Sequence, residues 1–144
     1  MKRTLISICI VFIIIMSILF VNLKNVQKNN LEIKQFNSGY EFYNKENICG
    51  VDVTTIINKA IDNNEKYEIK KDSSGLYIED DEYSIKIYIK MIINNKTYSM
   101  EEISKVGLEN FTELFGEIEF KCTEIEYHKV NGRIAEMTFE TVEY

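Results

Sequence analysis

Three cysteines, one histidine and a run of four carboxylates are the groups in this chain with chemistry to offer. Cys9 lies inside an uncharged apolar run, which leaves Cys49 and Cys122. In an oxidising compartment these two are candidates for a disulfide, the alternative being two partly buried free thiols. No CxxC spacing occurs, so neither a zinc ribbon nor a dithiol redox motif is indicated. A Cys–His nucleophile pair would need His128 beside Cys49 or Cys122. Cys122 and His128 are separated by an even number of residues, but a slip in the strand alternation between them turns them to opposite faces. His128 also precedes a hairpin turn, where exposed polar residues are usual. A single histidine without suitably spaced carboxylates is poor support for zinc.

The run Glu79-Asp80-Asp81-Glu82 could attract a cation. A calcium loop needs oxygen ligands at set positions and a glycine for its sharp turn, and Asp72-Ser73-Ser74-Gly75 nearby has its glycine in the wrong place. A solvated acidic turn is the plainer expectation. Asn95-Lys96-Thr97 and Asn110-Phe111-Thr112 match the glycosylation pattern by chance in an Asn-rich chain. No phosphate-cradling loop, GxSxG or HExxH is present. The expectation is therefore a protein that is not an enzyme, with no catalytic, cofactor-binding or metal residues.

Charge narrows the partners. The chain of 144 residues carries a net charge of −6, with 17 basic against 23 acidic residues. Lys2 and Arg3 precede the apolar run, which leaves 15 basic against 23 acidic residues beyond it, a net of −8. Such a surface repels phosphate backbones, so nucleic acid is not an expected partner.

The elements that would position these residues begin with the apolar run itself. Leu5 to Val21 holds no charge over 17 residues, which as a helix spans roughly 25 Å, the short end of what crosses a bilayer core. A secretory signal has a shorter apolar region and small residues at its cut site. Here the exit reads Ile18-Leu19-Phe20-Val21-Asn22-Leu23, bulky throughout. The expectation is a retained single-pass anchor contacting lipid through residues 5–21. Lys2, Arg3 and the α-amino group favour a cytoplasmic tip, with the remainder extracytoplasmic. Residues 1–22 would be tip and anchor, and 23–144 a single domain whose first part, 23–43, is a helical stalk.

Within that domain Ile33, Phe36, Tyr40 and Tyr43 mark one helical face. Val53, Ile56, Ile57, Ala60 and Ile61 form a complete helical stripe over Asp52–Asn64, with Asp52 as its N-cap and Asn63-Asn64 as its stop. Strands are expected at 66–71 and 76–79, and most clearly at Ser84–Ile93, where Ile85, Ile87, Ile89, Met91 and Ile93 share a face. Asn94-Asn95 turns into a short strand at 96–99. Helical pattern covers Glu101–Phe115 and is split by Gly107. The tail reads as a hairpin: 118–127 with a bulge near Thr123-Glu124, a type I′ turn at Asn131-Gly132, and a return over 134–144. Short turns imply antiparallel pairing, so the fold class is α+β with helices packed on an antiparallel sheet.

The stretch Ile48–Asn64, with Ser84–Ile87 and Phe120–His128, resembles a group of short single-span proteins of low-GC Gram-positive bacteria. The resemblance covers most of the chain and implies a cell-envelope membrane protein, without an activity. The layout is also similar to that of pilins and pseudopilins, in which an apolar N-terminal helix continues into one packed on a sheet. Those proteins have a glycine before the processing point and a glutamate early in the apolar helix. Lys2-Arg3-Thr4-Leu5 has no glycine, and no acidic residue precedes Glu32. The expected function is a membrane-anchored binding or assembly module working with another envelope protein, the alternative a pilin-like subunit of a secretion or fibre apparatus.

Overall fold

A computed structural model describes the backbone of residues 2–142, and side chains from Phe12 onward. The chain forms two compact units, residues 1–35 and 36–144. Helix α1 runs from Lys2 to Glu41 without a break. Phe12 to Val21 are exposed around the whole circumference of this helix. No helix among the described residues is long and apolar enough to cross a membrane. Cys9 and residues 5–11 of the expected anchor lie outside the described side chains.

The second unit is α+β, but its sheet is mixed. It contains β1 (Ile48–Cys49), α2 (Gly50–Lys66), β2 (Lys86–Met91), β3 (Lys96–Ser99), α3 (Met100–Val106), α4 (Leu108–Phe115), β4 (Glu119–Tyr127) and β5 (Ile134–Thr141). The sheet order is β1-β4-β5-β2-β3. The expectation of a purely antiparallel sheet fails at one pair: β2 and β5 run parallel, with Ile87 opposite Met137 and Ile89 opposite Phe139. Short turns dictate direction only for the strands they join. Between β2 and β5 lie two helices and two strands, and that long crossover permits a parallel central pair.

Alternation places Ile85, Ile87, Ile89 and Met91 on the covered face, all buried. Each buried isoleucine is worth about 1.5–3 kcal/mol relative to exposure. Against them lie Val53, Ile56, Ile57 and Ala60 of α2, Met100 and Ile103 of α3, and Phe111 of α4, with Tyr40 fully buried near the end of α1. The opposite face of β2 carries Lys86, Tyr88 and Lys90, only partly covered. The bulge lies where alternation slips, between Cys122 and Glu124.

Several boundaries moved. Helix α2 begins at Gly50, with Cys49 as N-cap and Asp52 at the third position. The carboxylate of Asp52 accepts the backbone N–H of Cys49 at 3.3 Å. Asn63 and Asn64 stand inside α2 rather than ending it. In place of strands at 66–71 and 76–79 there is a single bridge, Lys71 to Tyr77, because Glu68 at φ 53° breaks the extended run. Strand β2 stops at Met91, where a 3-10 turn, Ile92–Asn94, takes over. The β4–β5 connection is not a two-residue type I′ turn. Gly132 takes φ 74°, whereas Asn131 is not left-handed, and the loop closes through His128 N–H to Arg133 O at 2.8 Å.

Candidate functional site

The cysteines do not meet. Both are free thiols, so the expected disulfide pair Cys49–Cys122 is corrected. Strand β1 pairs with β4 so that Cys49 faces Glu119 and Ile48 faces Phe120. Cys122 therefore lies three residues farther along β4, roughly 10 Å away along the strand, beyond the reach of a disulfide without backbone movement. It also shares the covered face with Phe120, while Cys49 shares the other with Glu119. The thiol of Cys49 donates to Asp52 Oδ2 at 3.2 Å at the start of α2. Burial pushes the Cys122 thiol upward, against a smaller opposing effect of the Glu124 backbone. That is the opposite of what a nucleophile needs.

His128 is buried rather than exposed. Its Nε2 donates to the Ser84 carbonyl at 2.7 Å. Six residues of strand, roughly 20 Å, separate it from Cys122, so the two form no pair. The acidic run is a turn built around one carboxylate. Asp80 Oδ1 accepts the N–H groups of Glu82 at 3.0 Å, Tyr83 at 2.6 Å and Ser84 at 2.7 Å. Burial would raise its pKa, but these donors and the Ser84 hydroxyl outweigh it and hold the carboxyl below the usual range. No group of side chains among the described residues is arranged to hold a metal ion.

A polar cluster invisible in the sequence surrounds Arg133, which is buried. Its guanidinium lies 3.8 Å from the centroid of Phe36 and near the stacked pair Tyr67–Tyr83. It donates to Asn63 Oδ1 at 3.2 Å and Tyr67 Oη at 3.4 Å. Asn37 accepts the Ile134 N–H at 3.0 Å, and Asn131 donates to the Glu82 carbonyl at 2.9 Å. These contacts bind the end of α1, the end of α2, the loop before β2 and the β4–β5 connection together. Their work is to hold the fold.

The surface most suited to a partner is apolar. Ile93, expected to be buried beside Met91, is 95% exposed. On one side of it is a groove of about 620 Å³ lined by Met91, Tyr98, Ile103, Val106 and Phe115, with Lys105 and Glu102 at its margin. On the other is a hollow of about 440 Å³ lined by Phe115, Ile118 and Val142. A more polar groove of about 630 Å³ lies between α2 and α3, beside Glu65, Lys71, Tyr77 and Glu101. The sequence held one clue to the apolar surface. Ile92 and Ile93 are consecutive, so an alternating strand cannot bury both on one face.

No protein-family model matches the chain, and neither a curated protein nor a solved structure is significantly similar to it.

Proposed function

We propose that this protein is a non-enzymatic binding or assembly module of the cell envelope, tethered to the bilayer by residues 5–21, with residues 36–144 as its extracytoplasmic working part. One observation carries the reading: Phe12–Val21 present apolar side chains to their surroundings on every side of α1. A helix apolar all round belongs in a core or a bilayer. Its polar groups suit lipid as well. Ser17 donates its hydroxyl to the Ile13 carbonyl at 2.8 Å, so it is satisfied without water. Lys24, beyond the run, lies 4.7 Å from the Phe20 ring centroid, as a lysine reaching toward an interface would.

The domain supplies the other half of the reading, because the apolar grooves flanking Ile93 offer a contact surface for a protein. The continuous α1 also keeps a pilin-like subunit in view as the second reading. The two differ in processing, since a pilin-like subunit loses a leader.

The test is alkaline carbonate extraction of native membranes, with intact-mass measurement of the product. An anchored module stays in the pellet at its full mass. Recovery in the supernatant, or a product shortened by about twenty residues as a cleaved signal requires, overturns the anchor.

A further inference from the structure

We propose that the free edge of β4, from Lys121 to Tyr127, receives an extended basic segment of another protein as an added strand. The inference rests on the assembly reading above and concerns a surface other than the grooves beside Ile93. Strand β4 is flanked along its length on one side only. There β5 pairs with it from Phe120 to Tyr127. On the other side β1 reaches only Glu119 and Phe120. Beyond Phe120, roughly 20 Å of strand has no neighbour on that side among the described residues.

Two fixed points show which backbone groups are left over. At the near end the Glu119 carbonyl accepts the Val142 N–H at 2.9 Å, on the β5 side. Phe120 therefore points its N–H and C=O toward β1, and Lys121 points back to β5. At the far end the His128 N–H donates to Arg133 O at 2.8 Å, and its carbonyl accepts the Gly132 N–H at 2.8 Å, again on the β5 side. Counting back, Glu126 faces β5, whereas Ile125 and Tyr127 face away. The bulge between Cys122 and Glu124 absorbs the difference in phase. The N–H and C=O groups of Cys122, Ile125 and Tyr127 thus point outward, without a backbone partner among the described residues. Tyr127 is 46% exposed, and Lys121, Thr123, Glu124 and Glu126 are exposed as well. Extended backbone is the group that completes such a row.

Side chains along the edge determine what that strand carries. Glu124 and Glu126 stand opposite Thr138 and Glu136 of β5, on the open face of the sheet. Neither has an ion-pair partner among the described residues. The edge ends beside a hollow of about 250 Å³ lined by Glu79, Asp81, Glu126 and Lys129. Basic side chains at alternate positions of an incoming strand meet these carboxylates across the edge. On the covered face, Cys122 and the half-buried Ile125 call for apolar neighbours. The same glutamates turn away a second copy. With Ile48 left in place beside Phe120, two β4 edges paired antiparallel with matching faces set Glu124 against Glu126, or Glu126 against itself. Like charges directly opposite are destabilising. Edge charge of this kind guards a strand against its own copy and leaves it open to a complement.

Titration of the full chain, in a mild detergent, with a synthetic peptide tests this. The probe alternates lysine and valine over about seven residues, the length of the edge. It is expected to bind saturably below about 1 mM and to slow amide exchange at Cys122, Ile125 and Tyr127. Lys121 and Glu126, whose N–H groups already face β5, are expected not to change. Glutamate in place of lysine, or N-methylation of the valines, is expected to weaken binding at least about tenfold. The double variant Glu124→Lys, Glu126→Lys, at exposed side chains, is expected to weaken the lysine peptide about tenfold and to bind the glutamate peptide instead. No saturable binding, equal binding of the lysine and glutamate peptides, or protection confined to other amides overturns the proposal. So does protection of the same three amides without peptide as protein concentration rises, which makes a second copy the occupant. Should the double variant disturb the fold, the glutamate and N-methyl peptides decide on the wild type. Carbonate extraction is expected to be unaffected by the double variant, so failure of the edge and failure of the anchor are separable.

Discussion

Arg133 is a buried cation with no ion-pair partner among the described residues, held by ring faces and two neutral acceptors. Its position at the last turn of α2 adds the favourable end of that helix's dipole. A planar guanidinium can stack and fork its hydrogen bonds together, which an ammonium cannot. Arg133→Lys is therefore expected to cost about 1–3 kcal/mol, read as a lowered urea midpoint with an unchanged slope. Glu136 behaves differently. Burial first, and then the facing Glu126, raise its pKa, with Lys86 opposing. The register puts Glu126, Glu136 and Lys86 in one row across three strands. A carboxyl whose folded pKa exceeds its unfolded one binds protons more tightly when folded. Stability therefore falls as pH rises from the unfolded value through the folded one, and the penalty is fully present above that window. Glu136→Gln is expected to stabilise the protein at neutral pH by about 0.2–1 kcal/mol, with the gain vanishing below about pH 4. Thermal unfolding measured across pH checks both the sign and the disappearance.

At the scale of elements, the entry to α2 is the tightest junction. The Gly50 N–H donates to the Ile118 carbonyl at 3.0 Å and the Val51 N–H to that of Gly116 at 3.3 Å. Two of the helix's unpaired amides are thus satisfied by the turn after α4. A Cβ on Gly50 would collide with the backbone carbonyl of Phe115, and backbone cannot rotate out of the way. Gly50→Ala is expected to destabilise by about 1–3 kcal/mol despite alanine's better helix propensity. Chemical denaturation measures the loss, and an unchanged or raised midpoint contradicts the packing. The far end of α2 is held by a side chain acting as a strand neighbour. Asn64 accepts the Ile85 N–H at 2.9 Å and donates to the Ile85 carbonyl at 2.8 Å. An amide usually read as a helix stop instead fixes the entry to β2, because its buried side chain satisfies the backbone groups of Ile85 just before that strand.

For the whole molecule, exposed apolar side chains gather, among the described residues, along the helix from Phe12 to Val21 and around the groove that Ile93 and Val106 line. Exposed apolar area of this kind marks contact with lipid or protein. The proposed anchor assigns lipid to the first, and the proposed assembly role assigns a protein to the second. Elsewhere apolar side chains such as Phe42 and Val130 are exposed among charged neighbours, and the acidic excess opposes nonspecific association.

Amphipathic period was enough to reveal the stripe of α2, the alternating face of β2, the split of α3 from α4 at Gly107 and the bulge in β4, because each follows from neighbours a few residues apart. The left-handed backbone at Gly107, φ 109°, is likewise a local demand that only glycine meets cheaply. What lay beyond reach were the relations that join distant segments. Tertiary structure alone made the β2–β5 pair parallel, separated Cys49 from Cys122, buried His128 and enclosed Arg133 among residues up to 97 positions away from it (the count from Phe36 to Arg133). It also turned Ile93 outward, since whether an apolar residue is covered depends on where the chain leaves the sheet, and that is decided by packing between segments far apart in sequence.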